Sequence, residues 1–240
     1  VLDIVGNKSN EASSDLVKII SSKPVCMFTG PFSDKDLTTT TTASKKDQKI
    51  YYGLTCTDSD DEIIDELKPS SITSSDTTLL KDITVTNTTT TKNTKKYLIE
   101  ATTGSGDGNA KLTLKEKALN NSGDGNEAKS SATLVVDNTK PSCKDASGVS
   151  TTWEKKDRNV TLTCADSGSG CVKSSYTQKF TQSAKTGKIT IADKAGNTTD
   201  CSVNLYIDKT APVCTCWLYY TNRVDCSCTD YGSGFGYSNR

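Results

Sequence analysis

The 240 residues carry 29 Lys and Arg against 29 Asp and Glu, so the formal net charge is zero and no long-range field draws the chain to nucleic acid or to an anionic membrane surface. Hydrophobic residues make up 33% and aromatic residues 6%, thin material for a deep core, which together with long threonine runs suits stacked β-sheets better than a helical enzyme. Histidine is absent, removing the commonest general base and the commonest transition-metal ligand and weighing against catalysis.

Taken in order, residues 1–22 form a leading segment of no assigned role, with a brief apolar start and a short helix expected over 14–20. A first unit, 23–140, opens on Pro24-Val25-Cys26 and passes through a threonine-rich loop to a strand over 50–56. An acidic segment from Asp58 to Glu66 ends at Pro69. Strands are then expected at 83–86, 97–102, 111–117 and 132–136; two near-identical Ser-Gly-Asp-Gly-Asn turns, at 105–109 and 122–126, make the last three a meander. Asp137-Asn-Thr-Lys-Pro141 is a joint. A second unit, 141–211, holds strands over 159–164 and 174–180, then two alternating runs, Ile189 and Ile191, and Val203, Leu205 and Ile207, about a Gly196-Asn197 turn. Asp208-Lys-Thr-Ala-Pro212 is the second joint, and 212–240 reads as the start of a third, incomplete unit. No stretch is long and apolar enough to cross a membrane as a helix, and the export signal and anchor are expected outside this span.

The segments repeat. LTLKEKALN at 112–120 aligns with ITIADKAGN at 189–197, and 131–137 aligns with 202–208, so the chain reads as a tandem array. Ten cysteines, with no C-x-x-C and no histidine, point to disulfides in an oxidising compartment, with a four-thiolate metal site as the rival reading. Each unit has a cysteine after its opening proline (Cys26, Cys143, Cys214) and one ending its second strand (Cys56, Cys164, Cys228). Pairing these across antiparallel strands gives Cys26–Cys56, Cys143–Cys164 and Cys214–Cys228. Cys216 and Cys226, two residues further in, then face each other, because side chains on a strand repeat with period two. Cys171 and Cys201 occur together in the second unit and are both missing from the first, where Ser130 stands in the place of Cys201; that predicts a Cys171–Cys201 bond.

Pro-x-Cys, LTCADSGSG at 162–170, ITIADKAGNTT at 189–199 and IDKTAP at 207–212 together resemble the tandem bacterial Ig-like domains of secreted and surface-attached proteins. The resemblance covers 141–240 well and 23–140 more loosely; the first unit departs through its insertions and through Leu119 where the motif has glycine. It implies an all-β chain of tandem Ig-like β-sandwich domains stapled by disulfides. The implied role is that of a stalk, spacer or adhesive module at a bacterial cell surface.

Two candidate sites stand out. Asp58, Asp60, Asp61 and Glu62, followed by Asp65 and Glu66, offer the carboxylates from which calcium draws its about six to eight oxygens, although the spacing departs from an Asp-x-Asp-x-Asp-Gly loop and a solvated acidic turn explains it as well. The Asp-Gly-Asn turns and the joint residues Asp137 and Asp208 raise the same question, against a plainer role as turn and capping residues. Trp153, Trp217, Tyr219, Tyr220, Tyr231 and Tyr237 could form a sugar-stacking surface; Trp217, Tyr219 and Tyr220 sit together in the third unit, where they could equally pack in a core. No carboxylate pair is expected to meet at the ends of neighbouring elements, and no catalytic residues are assigned. The expectation is an extracellular structural or adhesive rod whose partners are neighbouring Ig-like domains or copies of itself. The alternative is a module that binds a host glycan or protein.

Overall fold

A computed structural model describes residues 22–60, 62, 63, 67–115, 125, 127, 129–219 and 223–234. Residues 1–21 of the leading segment, Asp61, Asp65, Glu66, most of the second Asp-Gly-Asn turn and Tyr220 lie outside them. The described chain is all β apart from one 3-10 turn, Pro69–Ser71. Its strands are β1 (Val25–Phe32), β2 (Ala43–Ser44), β3 (Lys49–Thr57), β4 (Ile72–Ser74), β5 (Leu80–Thr91), β6 (Thr94–Thr103), β7 (Gly108–Ala110), β8 (Leu112–Leu114) and β9 (Leu134–Val136). These are followed by β10 (Ser142–Ser147), β11 (Arg158–Ala165), β12 (Ser175–Phe180), β13 (Ala184–Ala192), β14 (Thr198–Ile207), β15 (Val213–Tyr219) and β16 (Arg223–Thr229).

Alternation of apolar and polar residues decides which face of each strand is buried. Along β3, Ile50, Tyr52, Leu54 and Cys56 point inward, and their antiparallel neighbours on β6 bury Tyr97, Ile99 and Ala101. The four-stranded sheet β1-β3-β6-β5 packs this face onto the β4-β8 pair and the β2-β9-β7 sheet, which contribute Ile72, Leu112, Leu114, Ala110, Leu134 and Val136 to one core. A second core lies between the β10-β11-β12 sheet and the β13-β14 hairpin, filled by Val160 and Leu162 from one side and Ile189, Ile191, Val203, Leu205 and Ile207 from the other. Both are β-sandwiches of sheet on sheet. β15 and β16 form a two-stranded ladder that leaves Val213, Leu218 and Val224 exposed.

The meander expected at 97–136 does not form. β6 belongs to the four-stranded sheet, β8 pairs with β4, and β9 joins β2 in parallel and β7 in antiparallel fashion. After β6 the described segments are three residues each and distribute over two sheets. Among the described residues, the Thr113–Ser130 bridge keeps the hairpin contact that the repeat implied there.

All ten cysteines are in disulfides. Cys26–Cys56, Cys214–Cys228 and Cys216–Cys226 join residues directly opposite across antiparallel strands, with Cα atoms 4.0 Å apart. In the second sandwich the expected Cys143–Cys164 and Cys171–Cys201 bonds are replaced by Cys143–Cys201 and Cys164–Cys171. The expected register is present, since Cys143 lies opposite Cys164 on β10 and β11. Residues directly opposite in a ladder point to the same face, however, and here that face looks onto β14, where Cys201 is buried. Cys143 therefore bonds across the layers, and Cys164, released from its cross-strand partner, closes a short loop onto Cys171. Cys171 and Cys201, expected to bond to each other, instead each take one member of the strand pair.

Candidate functional site

The residues that converge are at the joint. β9 ends on buried Val136, and Asp137 follows with its N–H donated to Ser44 O at 3.0 Å. The Asp137 carboxylate is 0% exposed; Oδ1 accepts the Thr139 N–H at 3.0 Å and Oδ2 accepts the Ser169 N–H at 2.7 Å. Asn138 Nδ2 donates to Gly106 O, and Asp107 accepts the Asn138 N–H at 2.6 Å and the Thr139 hydroxyl at 2.7 Å. Those bonds, led by that from the Thr139 hydroxyl, lower the Asp107 pKa. On the far side, Asn197 Nδ2 donates to Asp137 O at 2.8 Å and the Thr199 hydroxyl to Pro141 O at 2.5 Å. The linker is thus clamped from both sides by fixed donors rather than left as a tether.

The second joint repeats this geometry. Asp208 N–H donates to Glu154 O at 2.9 Å, Oδ1 accepts Thr210 N–H at 3.0 Å, and Oδ2 accepts Ser233 N–H at 2.7 Å. Ser44 pairs in parallel with Val136, as Glu154 does with Ile207. Glycine is required where the loop meets each carboxylate: a Cβ on Gly168 would lie 2.5 Å from the Asp137 carboxylate, and one on Gly232 would lie 2.4 Å from that of Asp208. Lys209 Nζ pairs with Asp157, which also holds Lys179 at 3.0 Å, and these contacts lower the Asp157 pKa.

At the first joint three carboxylates come together. One oxygen from each of Asp137, Asp166 and Asp193 lies within 4.8 Å of the others. Asp166 sits in the loop closed by Cys164–Cys171, after β11, and Asp193 follows β13, held beside that loop by the Cys171–Asp193 bridge and by Lys194 N–H donating to Gly170 O at 2.9 Å. Asp193 is 1% exposed, with Oδ1 accepting Asn197 N–H and Oδ2 accepting Asn197 Nδ2, both at 2.8 Å. Asp166 Oδ2 accepts Gly170 N–H at 2.7 Å, whereas its Oδ1 is buried with no hydrogen-bond partner. Among the described residues no Lys or Arg forms an ion pair with any of the three. Three carboxylates this close, with no described basic side chain paired to them, present a set of hard oxygens to one point. Sequence reasoning did not bring these acids together; the Ala-Asp pairs at 165–166 and 192–193, each ending a strand of the same unit, were the available signal.

Of the acids read from the sequence as a calcium candidate, Asp58 is buried and accepts Ser22 Oγ and Asp60 N–H at 3.0 Å, Asp60 is exposed, Glu62 is half-buried, and Asp61 lies outside the described residues. Trp217 is 47% exposed on β15, opposite Asp225; Tyr220 and the side chain of Tyr219 lie outside the described residues. Trp153 packs edge-on against Tyr206, with ring centroids 5.2 Å apart, and lines a shallow cavity with the exposed Tyr231, while Tyr237 lies outside the described residues.

A comparison with family models finds no match, and a comparison with curated proteins finds none either. Among solved structures, the chain is similar to the Clostridium thermocellum CbhA fibronectin(III)-like modules at 14% identity, covering 76% of this chain and 94% of that one with a TM-score of 0.31. Five disulfides fit a chain that folds in an oxidising compartment.

Proposed function

We propose that this chain is a non-catalytic structural or adhesive segment of an exported bacterial surface protein, a rod or appendage of disulfide-stapled Ig-like repeats divided near residues 140 and 211. The observation that carries this reading is the repeated joint: Asp137 with Thr139 and Ser169, and Asp208 with Thr210 and Ser233, make the same backbone hydrogen bonds at 3.0 and 2.7 Å. Pro141 and Pro212, with fixed φ, further restrict each joint. A stiff, repeated linker transmits force or holds a tip away from a surface, and its partners are neighbouring repeats or copies of the same chain. Single-molecule force extension tests it. The oxidised chain is expected to rupture in separate events, with residues between Cys143 and Cys201 shielded until reductant lengthens that event. One rupture of a length indifferent to reductant would rule the reading out.

A second reading, a module that binds a host glycan or protein, is favoured by the exposure of Trp217, 47% exposed on β15. Binding to a mucin or glycan array that disappears in Trp217→Ala would support it; an unaltered signal would exclude that surface.

A further inference from the structure

We infer that Asp137, Asp166 and Asp193 form a calcium site that locks the first joint onto the second sandwich. The three residues come from the linker, from the loop after β11 and from the end of β13, so a bound cation would cross-link three separate segments.

Two observations beyond the clustering of acids point to a ligand. The first is Asp166 Oδ1, buried and without any donor while its twin oxygen is satisfied by Gly170 N–H. A buried carboxylate oxygen left bare is expensive unless a cation or ordered water meets it. The second is the contrast between the two joints. Asp208 accepts four donors, Thr210 N–H, Thr210 hydroxyl, Ser233 N–H and Ser233 hydroxyl. Asp137 accepts only the two N–H groups, because the Thr139 hydroxyl is turned to Asp107 and Ser169 Oγ instead accepts Ala195 N–H. A carboxylate oxygen that takes one N–H keeps a further lone pair. At the first joint those lone pairs are left for a cation; at the second they are filled by hydroxyls.

The chemistry of the donors selects the ion. All are hard oxygens, and with no histidine and no free thiol the chain offers nothing that favours zinc or copper. Calcium–oxygen distances of about 2.3–2.6 Å span about 4.6–5.2 Å across the ion, which accommodates oxygens up to 4.8 Å apart; magnesium, at about 2.0–2.1 Å, demands a tighter set. Three carboxylates supply three to six ligands according to whether they bind through one oxygen or two, and water completes the shell. Cys164–Cys171 fixes the loop carrying Asp166 and Ser169, and so pre-positions one third of the site.

The inference rests on side-chain geometry and stands whether or not the chain is a rod. Its test is calorimetric titration of the full oxidised chain with calcium chloride, with magnesium chloride as competitor. One saturable calcium event is expected, weakened at least tenfold by Asp166→Asn or Asp193→Asn and left within twofold by Asp60→Asn and Asp208→Asn. Amide NMR of the unmutated chain gives a readout independent of folding defects: calcium should move Ser169, Gly170 and Asn197 while leaving Asp60 in place. Absence of calcium uptake, magnesium binding of equal strength, or shifts confined to the Asp58–Asp60 segment would overturn the assignment.

Discussion

Two residues show how far a buried polar group depends on its donors. Asp208 is held well below the usual carboxylate range, first by the Ser233 hydroxyl, then by Ser233 N–H and the Thr210 hydroxyl. An unfolded aspartate titrates near about 3.9, so a depressed folded value gives stability that is fully present above that pH and is lost as pH falls toward the folded value. Asp208→Asn is expected to lower the urea midpoint at pH 7, with the gap to the parent narrowing below about pH 4. Equal gaps at pH 7 and pH 2 would contradict it. Tyr52 is the opposite case: its ring is 0% exposed in the first core, its hydroxyl has no partner, and burial pushes its pKa upward. Leaving a hydroxyl buried and unpaired costs about 1–3 kcal/mol, so Tyr52→Phe should raise stability by about 1 kcal/mol, read from urea unfolding; a loss instead would mean that the hydroxyl is satisfied in solution.

At the level of strands and loops, the sequence was legible wherever period two alone decides the outcome. Val203, Leu205 and Ile207 alternate as buried residues along β14, and Cys214 and Cys216 face Cys228 and Cys226 because two residues along one strand keep the same face. It was not legible where the third dimension enters. The register of Cys143 against Cys164 follows from the repeat, but nothing in one strand pair reveals that Cys201 lies across the sandwich, nor that Asp137, Asp166 and Asp193 meet at one end of it. The bridges that form have different consequences. Cys143–Cys201 spans a sequence separation of 58 and Cys164–Cys171 one of 7, so the chain-entropy account assigns them about 4 and about 2 kcal/mol. Replacing both members of the long bridge by serine should therefore lower the stability of this sandwich by about 2 kcal/mol more than replacing both members of the short one. Equal losses in urea unfolding would show that native-state packing, rather than loop closure, sets the ranking. The short bridge holds the Asp166 loop, and its removal should be felt at the joint more than in the core.

For the molecule as a whole, the two cores do not share a side chain. One runs from Cys26 to Val136, the other from Val160 to Ile207, and hydrogen bonds link them: Ser169 N–H and Asn197 Nδ2 on Asp137, the Thr199 hydroxyl on Pro141 O, and Lys45 Nζ on Gly196 O at 3.4 Å. Cooperativity in unfolding comes chiefly from shared apolar burial, and a few hydrogen bonds, each worth about 0.5–1.5 kcal/mol net, couple two units only weakly. Calorimetry of the oxidised chain is therefore expected to show two transitions. Leu134→Ala, which empties part of the first core, should move one of them, and Leu205→Ala should move the other, each by about 2–5 kcal/mol. A single transition displaced equally by both substitutions would mean that the joint transmits stability as well as orientation, and the hydrogen bonds at Asp137 would then be the first place to look for the coupling.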